Sequence, residues 1–259
     1  LLMSVFLARR LVDRKWRRPR LWSNAELRSV APQFTGAVVN VSGWNDEDKE
    51  GRRYRDYFTG AASYVVTNWR GERGAQGHPE EIELNLEAPL PPNLEGGFDV
   101  VFNHTTLEHV FDLFTAFENL CRLSRDIVII VAPCLQETHF TADYGDFWRF
   151  TPHSMRRLFE CNGLTVVYES ASPPEPNASI YLFYVGSRFP DRWRDRLPPS
   201  SLAERPLGDQ IIRNDPFTLL ASAVYRRLER FGPYRRFARR FIRKYMRDGS
   251  PPGGEDLAD

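Results

Sequence analysis

The chain of 259 residues is 42% hydrophobic and carries a formal net charge of +1. That is enough apolar material for one substantial core with an appendage, and it excludes the fibrous and disordered classes. The three cysteines, Cys121, Cys134 and Cys161, lack metal-ligand spacing and sit in or beside apolar segments, which argues against a disulfide framework or a zinc site and for reduced thiols in the cytoplasm.

The small net charge hides an uneven distribution. Residues 1–20 carry about +6 and residues 217–259 about +5, which leaves about −10 for the middle. An acidic middle with no recognition motif speaks against nucleic acid as a partner. Residues 1–8 (LLMSVFLA) are too short to span a bilayer and run into Arg9-Arg10, without the charge-first order of a secretory signal. The expected location is cytoplasmic.

Residues 1–34 are expected to form a basic helical arm. Within them Ser23-Asn24-Ala25-Glu26 has the spacing of a capping box, which predicts a helix starting there and ending near Pro32. Residues 36–41 (GAVVNV) read as the first strand. Residues 45–58 are charged and then aromatic, so the helix expected to follow that strand is short or displaced. Strands two and three are placed at 63–68 (SYVVTN) and 81–86 (EIELNL), with a glycine-containing loop between them.

The central unit begins with a strand at 98–102 and a loop ending in Leu107-Glu108-His109-Val110. A helix near 112–123 follows, with Leu113, Phe117, Leu120 and Leu123 on one stripe, and then a strand at 127–132 that stops at Pro133. Both strands are nearly unbroken apolar runs, as in a parallel sheet covered on both faces. Ligands gather at the carboxyl ends of such strands, here Asn103-His104 and Pro133-Cys134. The loop 134–147 carries Glu137, His139, Asp143 and Asp146. Thr151-Pro152 opens the next helix, Asn162-Gly163 closes it, and strands at 164–168 and 179–186 follow with no helix between them.

Prolines and charges mark 189–216 as a linker. Residues 217–247 form two basic amphipathic helices around Gly232-Pro233, and 248–259 is a disordered tail. The arginine-rich face of the last helix suits either packing against the domain or an anionic membrane surface.

The run FDVVFNHTTLEHV, the helix after it, the strand ending in Ala-Pro, and DFWRFTPHSMRRLFECNGLTVV together resemble the second half of the class I S-adenosylmethionine-dependent methyltransferases. They are most similar to the type 11 group, often met in bacterial polysaccharide and glycolipid pathways. The resemblance covers roughly residues 35–188. It implies an α/β, Rossmann-like, mostly parallel seven-stranded sheet with an antiparallel last strand, here joined to a C-terminal helical appendage.

It also implies S-adenosylmethionine as cofactor, lined by Asn40, Ser42, Gly43, Asn68, Asn85 and Leu86, with Asn103 beside the methyl group. A hydroxyl or carboxyl of a glycan or lipid-linked sugar would be the acceptor. His109, His139 and Asp143 are the candidate proton acceptors, with His104 and Asp146 on the same surface. Some quinone-modifying relatives hold a metal with Glu-x-x-Glu-His. Thr105 stands at the first acid here, so no metal is expected. The family's acids at the ends of strands one, two and three are Asn40, Asn68 and Asn85, and Trp44 stands in the glycine turn. This pattern favours the alternative, a binding or scaffold protein of the same fold in polysaccharide assembly, whereas the retained Leu-Glu-His-Val and Trp-Arg-Phe-Thr-Pro segments favour the enzyme. A dinucleotide-binding protein fits less well, since no Gly-x-Gly-x-x-Gly opens a helix.

Overall fold

The computed structural model describes residues 18–70, 74–75, 77, 81–141, 144–173 and 179–202. The arm before residue 18, Asp143, the linker beyond 202, the helices of 217–247 and the tail 248–259 lie outside the described residues.

Seven strands form one sheet: β1 (Thr35–Val41), β2 (Gly60–Asn68), β3 (Glu81–Glu83), β4 (Phe98–His104), β5 (Ser124–Pro133), β6 (Thr165–Ala171) and β7 (Tyr181–Ser187). Their order is β3-β2-β1-β4-β5-β7-β6. The first five strands pair in parallel, and β7 lies antiparallel between β5 and β6. The chain winds outward from β1 to β3 and then restarts at β4 on the other side of β1. The strand order therefore reverses between β1 and β4, and the crevice at their carboxyl ends is the expected ligand position.

Alternation along the strands builds two cores. Val38, Val100, Phe102, Ile129 and Phe183 face one side, and Val39, Val101, Val128, Ile130 and Tyr184 face the other. The helix α1 (Arg18–Val30) covers the first face through Leu27 and Val30, together with Tyr54, Tyr57 and Phe58. On the second face lie α2 (Leu113–Leu123) and α3 (Pro152–Cys161), with the predicted stripe Leu113, Phe117, Leu120 and Leu123 fully inside. Asp112 caps α2 by accepting from the Thr115 N–H at 3.2 Å. Thr151 and Ser154 form a capping box at α3, with Pro152 in its first turn.

Four expectations change. Ser23 is not a cap: α1 is already helical at Arg18, and the buried Ser23 hydroxyl donates to the Arg20 carbonyl at 2.9 Å. The third strand stops at Glu83, because the Asn85 side chain accepts from the Glu87 N–H at 3.0 Å and turns the chain. No α-helix joins β1 to β2. Residues 42–59 instead fold around two buried acids, Asp46 and Asp48, with an isolated Glu47–Arg53 bridge and a short 3-10 turn at Tyr54–Tyr57. The first part of the expected linker packs into the domain. Trp193 lies edge-on to Phe34 at 4.9 Å, its indole N–H donates to Asp126 at 3.1 Å, and Leu197 and Leu202 are buried.

Candidate functional site

The end of β1 and the turn after it carry three of the residues assigned to a cofactor, Asn40, Ser42 and Gly43. Asn40 is buried and donates to Asp46 at 2.8 Å. A Cβ at Gly43 would lie 2.4 Å from the Asn40 amide nitrogen, so only glycine fits beneath that side chain. Ser42 and Trp44 both have positive φ, 57° and 49°. Fixed partners hold this left-handed backbone in place. The Asn68 amide accepts from the Trp44 N–H at 2.7 Å, donates to the Trp44 carbonyl at 2.9 Å, and donates again to Glu81. Gly43 and Ser42 bond Thr67 in parallel, through its carbonyl and hydroxyl. The turn is thus zipped to the end of β2, and both donors of Asn68 are engaged inside the protein.

At the third position, Asn85 is engaged by Glu87, while Leu86 is buried with its carbonyl accepting from Asn119 at 2.9 Å. Asn103 differs from these. Its amide donates to the Val41 carbonyl at 2.9 Å, bridging β4 to β1, but its buried oxygen has no partner. A buried acceptor left unsatisfied costs roughly 1–3 kcal/mol.

Beyond β4, Thr105 turns the chain (φ 50°) into a short 3-10 turn at Leu107–His109. The Glu108 carbonyl accepts from Phe147 N–H at 2.7 Å, and the Trp148 indole donates to Val110 at 2.9 Å. These bonds bring the loop after β5 against the loop after β4. The Glu108 side chain is fully buried, and neither carboxylate oxygen has a hydrogen-bond partner. Burial pushes its carboxyl up to about 7, against the pull of the Arg20 and Arg149 guanidiniums.

His109 Nδ1 lies 2.6 Å from the Gly145 carbonyl, which can only accept, so Nδ1 carries the proton and Nε2 the lone pair. That Nε2 is 3.9 Å from Glu108 Oε1. Burial, with His139 alongside, holds the imidazole below its usual pKa despite the Gly145 contact, so it is neutral near pH 7. His139 stacks edge-on at 4.9 Å, and Tyr144 flanks His109 at 4.5 Å. Arg149 grips Asp146 with two nitrogens at 2.5 and 2.6 Å and also donates to the carbonyls of Gln136, Glu137 and Trp148. It acts as a loop brace, as a planar guanidinium does well.

His104 is close by but is not available as a base. Arg20 donates to its Nδ1 at 2.9 Å, and its Nε2 lies 2.8 Å from the Ser23 hydroxyl. Burial and then Arg20 keep it well below its usual pKa. The arm residue Arg20 was not legible as part of this surface, since nothing in its local sequence points to a contact across 84 positions. Phe111, Phe114, Phe140 and Phe147 are exposed, and Phe111 meets Phe147 edge-on at 5.3 Å. Among the described residues no helix is long and apolar enough to cross a membrane.

No protein-family model and no curated protein matches the sequence. Solved structures do resemble the fold. An S-adenosylmethionine dependent methyltransferase from Mesorhizobium loti is 12% identical, with 62% of this chain and 95% of that chain covered and a TM-score of 0.46. The 1,6-didemethyltoxoflavin-N1-methyltransferase of Burkholderia thailandensis, solved with S-adenosylhomocysteine, is 16% identical, with 71% and 88% covered and a TM-score of 0.44. At such values the likeness carries no weight for the chemistry, which rests on this chain's own residues.

Proposed function

We propose that this protein is an S-adenosylmethionine-dependent methyltransferase acting on a hydroxyl of a glycan or lipid-linked sugar. The observation that carries the reading is the corner after β4, where His109 presents an Nε2 lone pair beside a buried, ionisable Glu108. O-methylation needs a proton acceptor held at the acceptor atom, with a pKa near the working pH. S-adenosylmethionine supplies an electrophilic methyl group. The chain's own part is to orient the acceptor and take its proton at His109 Nε2, with Glu108 balancing the imidazolium that results. Exposed Phe111, two residues on from His109, meets Phe147, and the pair offers apolar faces to a sugar ring or lipid stem.

The residues fit the cofactor at one end. The unpartnered Asn103 oxygen suits its positively charged amino-acid portion, whereas the amides of Asn40, Asn68 and Asn85 are engaged within the protein. The Asn68–Trp44 clamp favours a second reading, a protein of this fold that binds a glycan or assembly partner without methylating it.

Calorimetric titration with S-adenosylmethionine and S-adenosylhomocysteine separates the two. Saturable binding that weakens in Asn103→Leu supports the enzyme. No heat and no change in melting temperature with either ligand removes it in favour of the non-methylating protein.

A further inference from the structure

The corner gathers three side chains of metal-ligating type from two segments: Glu108 and His109 from the turn after β4, and His139 from the loop after β5. One ligand atom from each lies within 4.8 Å of the other two. A search for a contiguous Glu-x-x-Glu-His passes over this set, because its third member arrives from another loop. We propose that Glu108, His109 and His139 form a binding site for one divalent first-row transition ion of the Zn²⁺ type.

Two imidazoles and a carboxylate select such an ion over Mg²⁺ or Ca²⁺, which prefer all-oxygen shells. The set is also pre-oriented. His109 donates Nδ1–H to the Gly145 carbonyl at 2.6 Å, the outer contact that fixes a ligating tautomer with Nε2 presented. On the other side, Asp146 accepts from the His139 backbone N–H at 2.5 Å and lies 3.6 Å from its Nδ1, while Arg149 holds Asp146.

An independent feature points to a cation: Glu108 is wholly buried, and both its oxygens lack a hydrogen-bond partner. The other acidic group in the fold shows the contrast. Asp46, Asp48 and Glu50, followed by Gly51, have the spacing of a cation loop, but protein donors already occupy them. Asp46 accepts from Asn40, Tyr64 and the Arg55 N–H; Asp48 accepts from Glu50 N–H, Arg52 N–H and Tyr57; Glu50 accepts from Asn24 and Arg28. Among the described residues, only the Glu108 corner combines ligand geometry with an unsatisfied acid.

Three protein ligands leave a coordination position open, the pattern of catalytic rather than structural zinc sites. The inference deepens the functional reading by resting on the same site. A cation there would hold the acceptor hydroxyl and lower its pKa, so that its proton passes to solvent water rather than to His109, whose Nε2 would then serve as a ligand. It does not depend on methyl transfer, since an open cation would equally hold an anionic or hydroxylated ligand in a protein that only binds.

The test uses the untagged chain, stripped with chelator, dialysed, and titrated with Zn²⁺ by calorimetry and with Co²⁺ by visible absorption. The expected result is one saturable equivalent and the visible bands of low-coordinate Co²⁺. Glu108→Gln and His139→Ala should each weaken binding at least about tenfold at unchanged circular dichroism, and His153→Ala, on the exposed face of α3, should leave it intact. Absence of saturable binding, or binding that survives both Glu108→Gln and His139→Ala, overturns the site. Metal binding without cofactor binding would keep this inference and remove methyl transfer, and cofactor binding without metal would do the reverse.

Discussion

Glu108→Gln offers the sharpest test of how the corner is built. The carboxyl moves from its ordinary 4.5 to about 7 on folding, because burial penalises the anion by more than the contact with its own backbone N–H and the Arg20 and Arg149 guanidiniums favour it. At 1.36 kcal/mol per pKa unit, the ionised side chain costs the fold about 3 kcal/mol. The folded pKa is the raised one, so the carboxyl is harmless below the unfolded value near 4.5. Its penalty grows as pH rises and is complete once pH has passed about 7. Glutamine cannot ionise. It keeps an unpartnered amide in the same place, which adds an offset that does not vary with pH.

Urea unfolding of both proteins, with chelator present, from pH 4 to pH 8.5 reads the difference directly. The wild type should lose about 3 kcal/mol relative to the variant between pH 4.5 and 8, with the steepest change at about pH 5.8, midway between the unfolded and folded values. A difference that stays flat across that interval would mean that Glu108 is solvated or paired. Neither the base nor the cation site would then stand.

Arg149→Ala leaves the part-buried Asp146 with the His139 backbone N–H and without its guanidinium, and should destabilise the protein by about 2 kcal/mol in the same unfolding assay. Arg149→Lys should recover little of this, because a single ammonium cannot grip Asp146 and three carbonyls together. Gly43→Ala drives a methyl into the Asn40 amide and should cost about 2 kcal/mol; a neutral effect would show that the turn is not closed on Asn40. Asn68→Ala removes the hydrogen bonds that Asn68 makes with the N–H and the carbonyl of Trp44 and should lower stability by about 2 kcal/mol. If it instead leaves unfolding unchanged while weakening cofactor binding, the amide faces the ligand rather than the turn.

The sequence by itself determined the framework, because the signals that set it are local. Unbroken Val and Ile runs at 98–102 and 127–132 become β4 and β5 at the centre of the sheet, and the Leu113-Phe117-Leu120 stripe becomes the buried face of α2. Thr151-Pro152 starts α3 where its cap chemistry requires. Glu108, His109 and His139 were visible as polar residues at strand ends, where a parallel sheet places its chemistry.

Only the tertiary structure decided what each of them does. Asn68 reads as a ligand contact until Trp44, 24 residues away, takes up its amide. Ser23 reads as a helix cap until His104, 81 residues away, meets its hydroxyl. Glu108 reads as one of many loop acids until the loop after β5 closes over it and removes its water. Hydrophobic periodicity is written into neighbouring residues, whereas burial and hydrogen-bond partnership are set by distant segments that meet only in the folded chain.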